Sequence, residues 1–308
     1  MGHVPGRKYQ CALLILVLIA LTGCGGSASP APSTTTTTGT GGGTGGNPAS
    51  VQHVVIVVEE NHSYGSVIGS ASMPYLNGLA SKYALATNYF ADIHPSLPNY
   101  FMLTAGVPVT VDDSYTGTYD GANLASVVSG AGKTWKAYAE SIPSAGYTGG
   151  DQYPYVKRHN PFAYFTSVLN DPKQVANMVP FTQFSADLAA GTLPSVSFVI
   201  PNLKNDAHDG SLAEADAWLQ SNIGPLVNSA AFANTVLIVV FDEGDITDIE
   251  HLGGHVAMVV AGGPVKTGYQ SSTFYQHQST LRFMLDAIGV GSAPGAAASA
   301  PTMNEFLK

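Results

Sequence analysis

Cysteine is nearly missing from this 308-residue chain, which has only Cys11 and Cys24. Both precede residue 25, so the rest of the chain can build neither a disulfide nor a thiolate metal centre. Charge is scarce too, at 11% of residues, with 12 Lys and Arg against 21 Asp and Glu. The formal net charge of −9 argues against nucleic acid as a partner, since that affinity comes from basic side chains neutralising phosphates. An anionic substrate must then be drawn in locally, by a cation or a few histidines, against the overall field. Apolar residues are plentiful at 45%, and a chain of this length can bury a sizeable core.

The chain divides by composition. Arg7 and Lys8 precede an apolar run from Ala12 to Leu21 that is too short for a typical membrane span and reads as a secretion signal. It ends in Leu21-Thr22-Gly23-Cys24, which resembles a bacterial lipobox. Residues 1–24 are therefore expected to be a lipoprotein signal peptide, with Cys24 acylated as the mature N-terminus and anchoring the protein to a membrane outside the cytoplasm. An ordinary cleaved signal, with Cys24 incidental, is the alternative. Residues 25–49 are almost entirely Gly, Ser, Thr, Pro and Ala, the composition of a flexible tether. Residues 50–308 show no internal repeat and read as one catalytic domain.

Within that domain, strand-like runs alternate with helix-like ones. Val51–Val58, Thr134–Ala139, Leu193–Ile200, Thr235–Val240 and Val256–Val260 are apolar and strand-like, and Ala84–Tyr89 is a further candidate strand. Pro74–Lys82, Tyr100–Ala105, Asn123–Gly130, Leu212–Val227 and Gln278–Ile288 carry helical spacing. The alternation predicts an α/β fold with a mostly parallel sheet. The 141–175 stretch reads as a long irregular loop, and such loops in compact domains usually carry function or are disordered.

Polar residues collect at the strand ends, where open α/β sheets bind ligands. Glu59-Glu60-Asn61-His62 follows the first strand, Asp206 and His208 a middle one, Asp242-Glu243 the late one, and His255 precedes the next. The two carboxylates and the amide of Glu59-Glu60-Asn61 make a hard oxygen site suited to a divalent cation, or else a solvated loop with a helix cap. Lys157-Arg158-His159 is the one basic cluster in an acidic protein. Ser96, within His94-Pro95-Ser96-Leu97-Pro98-Asn99-Tyr100, falls at a strand-to-helix turn. There it could cap the helix or, with a base or metal taking its proton, act as a nucleophile. Metal-competent or proton-transfer groups at five strand ends favour the nucleophile.

Taken in order, VVIVVEENHSY, NYFADIHPSLPNY, YVKRHNP, PNLKNDAHD, VVFDEGD and GGHVAMVV resemble the bacterial phosphoesterase family of secreted acid phosphatases and phosphatidylinositol-3-phosphatases, within the alkaline phosphatase superfamily. The resemblance implies a three-layer α/β/α sandwich of alkaline phosphatase type. It implies that Ser96 is the nucleophile and that Asn99 contacts the phosphoryl group. Glu60, Asn61, Asp242 and Glu243, with Ser96, match a divalent metal site. Asp206, His208 and His255 match second-metal positions of the superfamily, and here are expected to serve phosphate contact and proton transfer, with His208 the candidate acid. Arg158 and His159 are further candidate substrate contacts. Asp242-Glu243 stands where the superfamily usually has Asp-His, which leaves the metal's number and identity open. The expected substrate is a phosphorylated small molecule or phospholipid headgroup. A phosphodiesterase of phospholipase C type and a catalytically inert binding lipoprotein are the other classes.

Overall fold

The computed structural model describes residues 51–308, and the expected signal peptide, Cys24 and the expected tether lie outside these residues. The first strand, β1 (His53–Glu59), is apolar from Val54 to Val58 and buried on both faces, the pattern of a central parallel strand. It pairs in parallel with β6 (Val196–Ile200) on one side and β7 (Thr235–Phe241) on the other. Outward from β6 lie β4 (Trp135–Ala139) and β5 (Met178–Pro180), again parallel. Outward from β7 lie β8 (Met258–Gly262), β2 (Ala84–Ala86) and β9 (Tyr269–Ser271). The sheet order is β5-β4-β6-β1-β7-β8-β2-β9, and only β8 runs against its neighbours. Helices flank this mostly parallel sheet, as an α/β fold requires.

The parallel strands send their carboxyl ends to one edge, so Glu60, Asn202 and Asp242 arrive there from β1, β6 and β7. Because β8 runs the other way, its start and the preceding His255 come to the same edge. Among the described residues no helix is long and apolar enough to cross a membrane.

The helix from Pro74 to Lys82 has the expected bounds, and that from Leu124 to Gly130 is closed by an Asn123–Ser126 capping box. Several other expectations need correction. Ala84–Tyr89 is not one strand: the chain leaves the sheet after β2, and β3 (Tyr89–Phe90) pairs instead with β10 (Tyr275–Gln276). The helix after the turn starts at Ser96, not Tyr100, and ends at Ala105, with Gly106 as its C-cap. Gly106 has φ +67°, and a Cβ there would meet the Pro294 carbonyl oxygen at 2.5 Å, so glycine closes this helix. The Leu212–Val227 helix breaks at Ile223, just before Pro225, which cannot continue the ladder. The 141–175 stretch is not simply irregular, since it contains helical turns at Lys157–His159, Pro161–Tyr164, Thr166–Leu169 and Pro172–Val175. Strands β5, β9 and β10, too short to show a period, and the Thr182–Ala190 helix were not expected.

Candidate active site

Ser96 is the first residue of a ten-residue helix and is only 2% exposed. It does not cap that helix, because the N-cap position is Pro95 and no side chain bonds the terminal N–H groups from there. Its Oγ lies 2.9 Å from Glu243 Oε1 and 3.1 Å from Glu60 Oε2. A hydroxyl carries one hydrogen, so only one of these contacts can be its donated bond. The other sets oxygen against oxygen unless an acid proton or a cation lies between them.

The acids around Ser96 have no countercharge of matching number. Glu60 and Asp242 are fully buried, and burial holds both carboxyls well above the usual carboxylate range. Asp242 and Asp206 push Glu60 further, while a 2.5 Å bond from the Tyr100 hydroxyl to its Oε1 pulls the other way. Glu243 adds to the rise in Asp242, which accepts hydrogen bonds from the backbone N–H groups of Asn61 (3.1 Å) and Glu243 (2.6 Å). Asp242 Oδ2 is buried without a partner. Burial brings Glu243 to about 7 against the Ser96 hydroxyl bond, with Asp113 adding to the rise. Three buried carboxylates, one of them with an orphaned oxygen, and a hydroxyl have the hard-oxygen chemistry that suits a divalent cation. Asn61 joins this group through its backbone at φ +53°.

A second grouping shares Glu60. His159 is buried and its ring stacks on Tyr100 at 5.1 Å. Its Nε2 lies 3.3 Å from Glu60 Oε1 and its Nδ1 3.4 Å from Asp206 Oδ2, although neither nitrogen meets hydrogen-bond geometry. Burial lowers its pKa well below the usual value, with Arg158 and His208 assisting, so the ring is neutral and has one N–H for two acids. Donor atoms of Glu60, His159 and Asp206 all lie within 4.8 Å of one another. Burial raises Asp206 to about 7, and its Oδ1 accepts the His208 backbone N–H at 2.9 Å.

Other expected site residues sit differently. The Asn99 amide accepts from the backbone N–H groups of Asp92 and Ile93 and donates to the carbonyls of Ile93 and Pro95. Fully buried, with both amide hydrogens engaged, it braces the loop before Ser96 and has no donor left for a phosphoryl oxygen. The His208 ring faces Asp209 at 2.8 Å rather than Asp206, with its centroid 6.0 Å from that of His159. His255 stacks between Tyr64 and Phe90, and its Nε2 pairs with the Thr87 carbonyl at 3.2 Å. No hydrogen bond or ion pair joins it to the Ser96 cluster among the described residues. Arg158 faces Asp113 and Asp151 at 3.8 and 3.6 Å, and Asp113 accepts the Leu97 N–H at 2.9 Å.

Sequence reasoning missed four residues that shape the site. His94 pairs through Nδ1 with Glu243 Oε2 and through Nε2 with the Asp248 carbonyl at 2.9 Å. Tyr100 bonds Glu60, and Asp113 binds the Ser96 helix. His277, buried, bonds the Asp242 carbonyl at 2.5 Å and the Tyr89 hydroxyl at 2.9 Å. For His94 the signal was available two positions before the serine, but its partner is 149 residues away.

Comparison with known proteins is decisive about kinship. The model of the phosphoesterase family matches residues 70–291. This chain belongs to that family. Phosphoesterases hydrolyse phosphoric esters, and the buried serine–carboxylate centre suits that chemistry. The chain is 36% identical over 256 residues to the phosphatidylinositol-3-phosphatase of Mycobacterium tuberculosis, covering 82% of each protein. It is 30% identical to a probable acid phosphatase of Kluyveromyces lactis, covering 76% of this chain and 57% of that protein. It is 34% identical to a phosphate-repressible acid phosphatase of Penicillium chrysogenum, covering 67% and 52%, so it spans about half the length of these fungal relatives. Among solved structures it is similar to an alkaline phosphatase superfamily protein from Vibrio parahaemolyticus, with TM-score 0.60, 14% identity and coverage of 85% and 74%. A phosphonate monoester hydrolase from Silicibacter pomeroyi has TM-score 0.55 at 11% identity, covering 83% and 76%. At those identities the likeness establishes the alkaline phosphatase-type fold alone.

Proposed function

We propose that this phosphoesterase is an acid phosphatase that hydrolyses phosphate monoesters through a Ser96 nucleophile. Phosphoinositide headgroups are candidate substrates, as the name of the mycobacterial relative suggests. The observation that carries the reading is the Ser96 hydroxyl set between Glu60 and Glu243 at 3.1 and 2.9 Å, out of solvent, at the start of a helix. A helix N-terminus favours an anion beside it.

Glu60, Asp242 and Glu243 would hold a divalent cation, with Asn61 fixing Asp242 through its backbone N–H. When bound, such a cation supplies charge that lowers the pKa of the serine hydroxyl and stabilises negative charge on phosphoryl oxygens. Ser96 Oγ attacks phosphorus, giving its proton to a neighbouring carboxylate, and the P–O bond to the alcohol breaks. His208, on the solvent side of His159, protonates the leaving oxygen. Water then attacks the phosphoserine, releasing phosphate and the serine hydroxyl. Asp206 positions His208 through its backbone N–H, and neutral His159 is ready to donate its one N–H to substrate.

Rapid acid quench during turnover of a 32P-labelled monoester should trap label on Ser96. Burst kinetics without any label on that residue would refute nucleophilic attack by Ser96. The protein also acts outside the cytoplasm, anchored through Cys24. Wild type should partition into detergent with membranes and Cys24→Ser should not, whereas a wholly soluble wild type would exclude the anchor.

A further inference from the structure

Beside the Ser96 helix lies a cleft of about 250 Å3, lined among others by Asp113, Tyr115, Asp151, Lys157, Arg158 and Tyr164. One wall is shared with the catalytic centre, because Asp113 Oδ1 accepts the N–H of Leu97, the residue after Ser96, at 2.9 Å. Arg158 also lines the cleft, next in sequence to the His159 that faces Glu60.

The chemistry of this cleft is unspent. The Arg158 side chain is only 20% exposed, yet its approaches to Asp113 and Asp151 are 3.8 and 3.6 Å, beyond hydrogen-bond length, and it makes no hydrogen bond among the described residues. The guanidinium is partly exposed to the cleft and ion-paired but not hydrogen-bonded to either acid, so its donors are free to meet a ligand. Lys157 Nζ likewise bonds no acceptor and rests over the Tyr164 ring at 4.4 Å. Each acid spends one oxygen on a backbone N–H, Asp113 on Leu97 and Asp151 on Lys157, and turns the other toward Arg158. Tyr115 and Tyr164 stack at 6.0 Å and supply an aromatic wall.

We propose that this cleft receives the alcohol half of the substrate and selects a polyhydroxylated ring through its free hydroxyls, any phosphodiester on the ring staying outside the cleft. A hydroxyl both donates and accepts, so adjacent hydroxyls can meet a carboxylate and a guanidinium together. A second phosphate could satisfy Arg158 and Lys157 but would face Asp113 and Asp151 with like charge and no hydrogen to offer. The volume lies just below the usual range for ligand pockets, about 300–1,000 Å3, and suits one ring rather than a chain. This rests on the phosphomonoesterase reading above, and it assigns Arg158 to the leaving group rather than to the transferred phosphate.

The test compares kcat/KM for myo-inositol monophosphate, cyclohexyl phosphate, which has the same ring without hydroxyls, and a myo-inositol bisphosphate. Wild type should favour the inositol monophosphate over the cyclohexyl ester by about tenfold or more, the scale of one or two hydrogen bonds to charged groups. R158Q and D151N should each bring that ratio toward one, and R158K should keep part of it. Equal turnover of the two monoesters by wild type would overturn the proposal, as would a ratio that survives in both variants. So would a preference for the bisphosphate that R158Q removes, since the cleft would then be an anion site. If wild type turns over no monoester, the phosphomonoesterase reading fails. The cleft is then judged by saturation-transfer NMR with free myo-inositol, where a signal lost in R158Q supports it and no signal overturns it.

Discussion

Asp187 and Asp242 are both buried acids of this fold, yet they are treated in opposite ways. Asp187 accepts bonds from Lys136 Nζ at 2.6 Å, Tyr138 OH at 2.7 Å and Gln183 Nε2 at 3.0 Å. Burial acts to raise its pKa, but bonds from Lys136, Tyr138 and Gln183 outweigh it and the value falls below the ordinary one. Asp242 has two backbone N–H groups, no cation and an oxygen with no partner, and its pKa rises. A buried charge needed only for architecture is neutralised by the protein itself, because leaving it unpaired is costly. Buried acids without a protein cation, gathered around a hydroxyl, mark the place where something else is bound.

The contrast breaks most visibly at Ser96. Ser96→Ala should lose at least about three orders of magnitude in turnover, the scale of removing an activated nucleophile, while melting near the wild-type temperature. Ser96→Thr should keep partial activity. An alanine variant that turns over normally would show that the acids serve something other than this hydroxyl.

Asp242→Asn and Glu60→Gln should each abolish activity and lower bound divalent metal by elemental analysis. The metal-free variants should be as stable as the metal-free parent or more so, because removing one of several like charges relieves repulsion. Full activity of the parent after exhaustive chelation, with no metal bound, would contradict this.

The pH dependence of stability sharpens the same comparison. Glu60, Glu243, Asp206 and Asp242, together with buried Asp92 at about 7, have folded pKa values raised above their unfolded ones. These acids hold more protons in the folded state than in the unfolded state above about pH 4 and make stability fall as pH rises. They outweigh His62, His159 and His277, whose lowered values act the other way below about pH 6.5. Metal-free protein should melt at a higher temperature near pH 5 than near pH 8, and a bound divalent cation should flatten that slope. A melting temperature that rises from pH 5 to pH 8 in metal-free protein would exclude it. Asp187 contributes the opposite sign: its stabilisation is present above its unfolded pKa and is lost as pH falls through the lower folded value.

The smallest effect belongs to the paired acid. Asp187→Asn should cost about 1–3 kcal/mol, the range for weakening hydrogen bonds to a charged group, and leave kcat unchanged. Denaturant titration and a turnover assay check both halves.

The strand ends were legible because a parallel sheet gathers its carboxyl edges whatever the loops do, and β1 and β7 announced themselves as unbroken apolar runs. Ser96 was legible for the same reason. The partners were not, since a side chain's hydrogen bonds depend on contacts far away in sequence. Asn99 looked available for phosphate, but the loop immediately before it consumes its amide. His255 was placed at the correct edge by strand alternation, but aromatic packing against Tyr64 and Phe90 decides where its ring lies. The fold was readable from periodicity, whereas the wiring of the site required coordinates.

The His94 ring has a consequence for electroneutrality. Its Nε2 faces the Asp248 carbonyl, which can only accept, so the ring hydrogen of a neutral imidazole is already committed there. Nδ1 then meets Glu243 Oε2, and two lone pairs cannot hold that contact without a hydrogen between them. The pair therefore carries one further proton and is neutral as a unit, wherever that proton resides. Around the serine this leaves Glu60 and Asp242 as the two buried carboxyls that would carry unmatched charge on losing their protons. A single divalent ion balances two negative charges, and a phosphate ester can then enter without meeting a net repulsive centre.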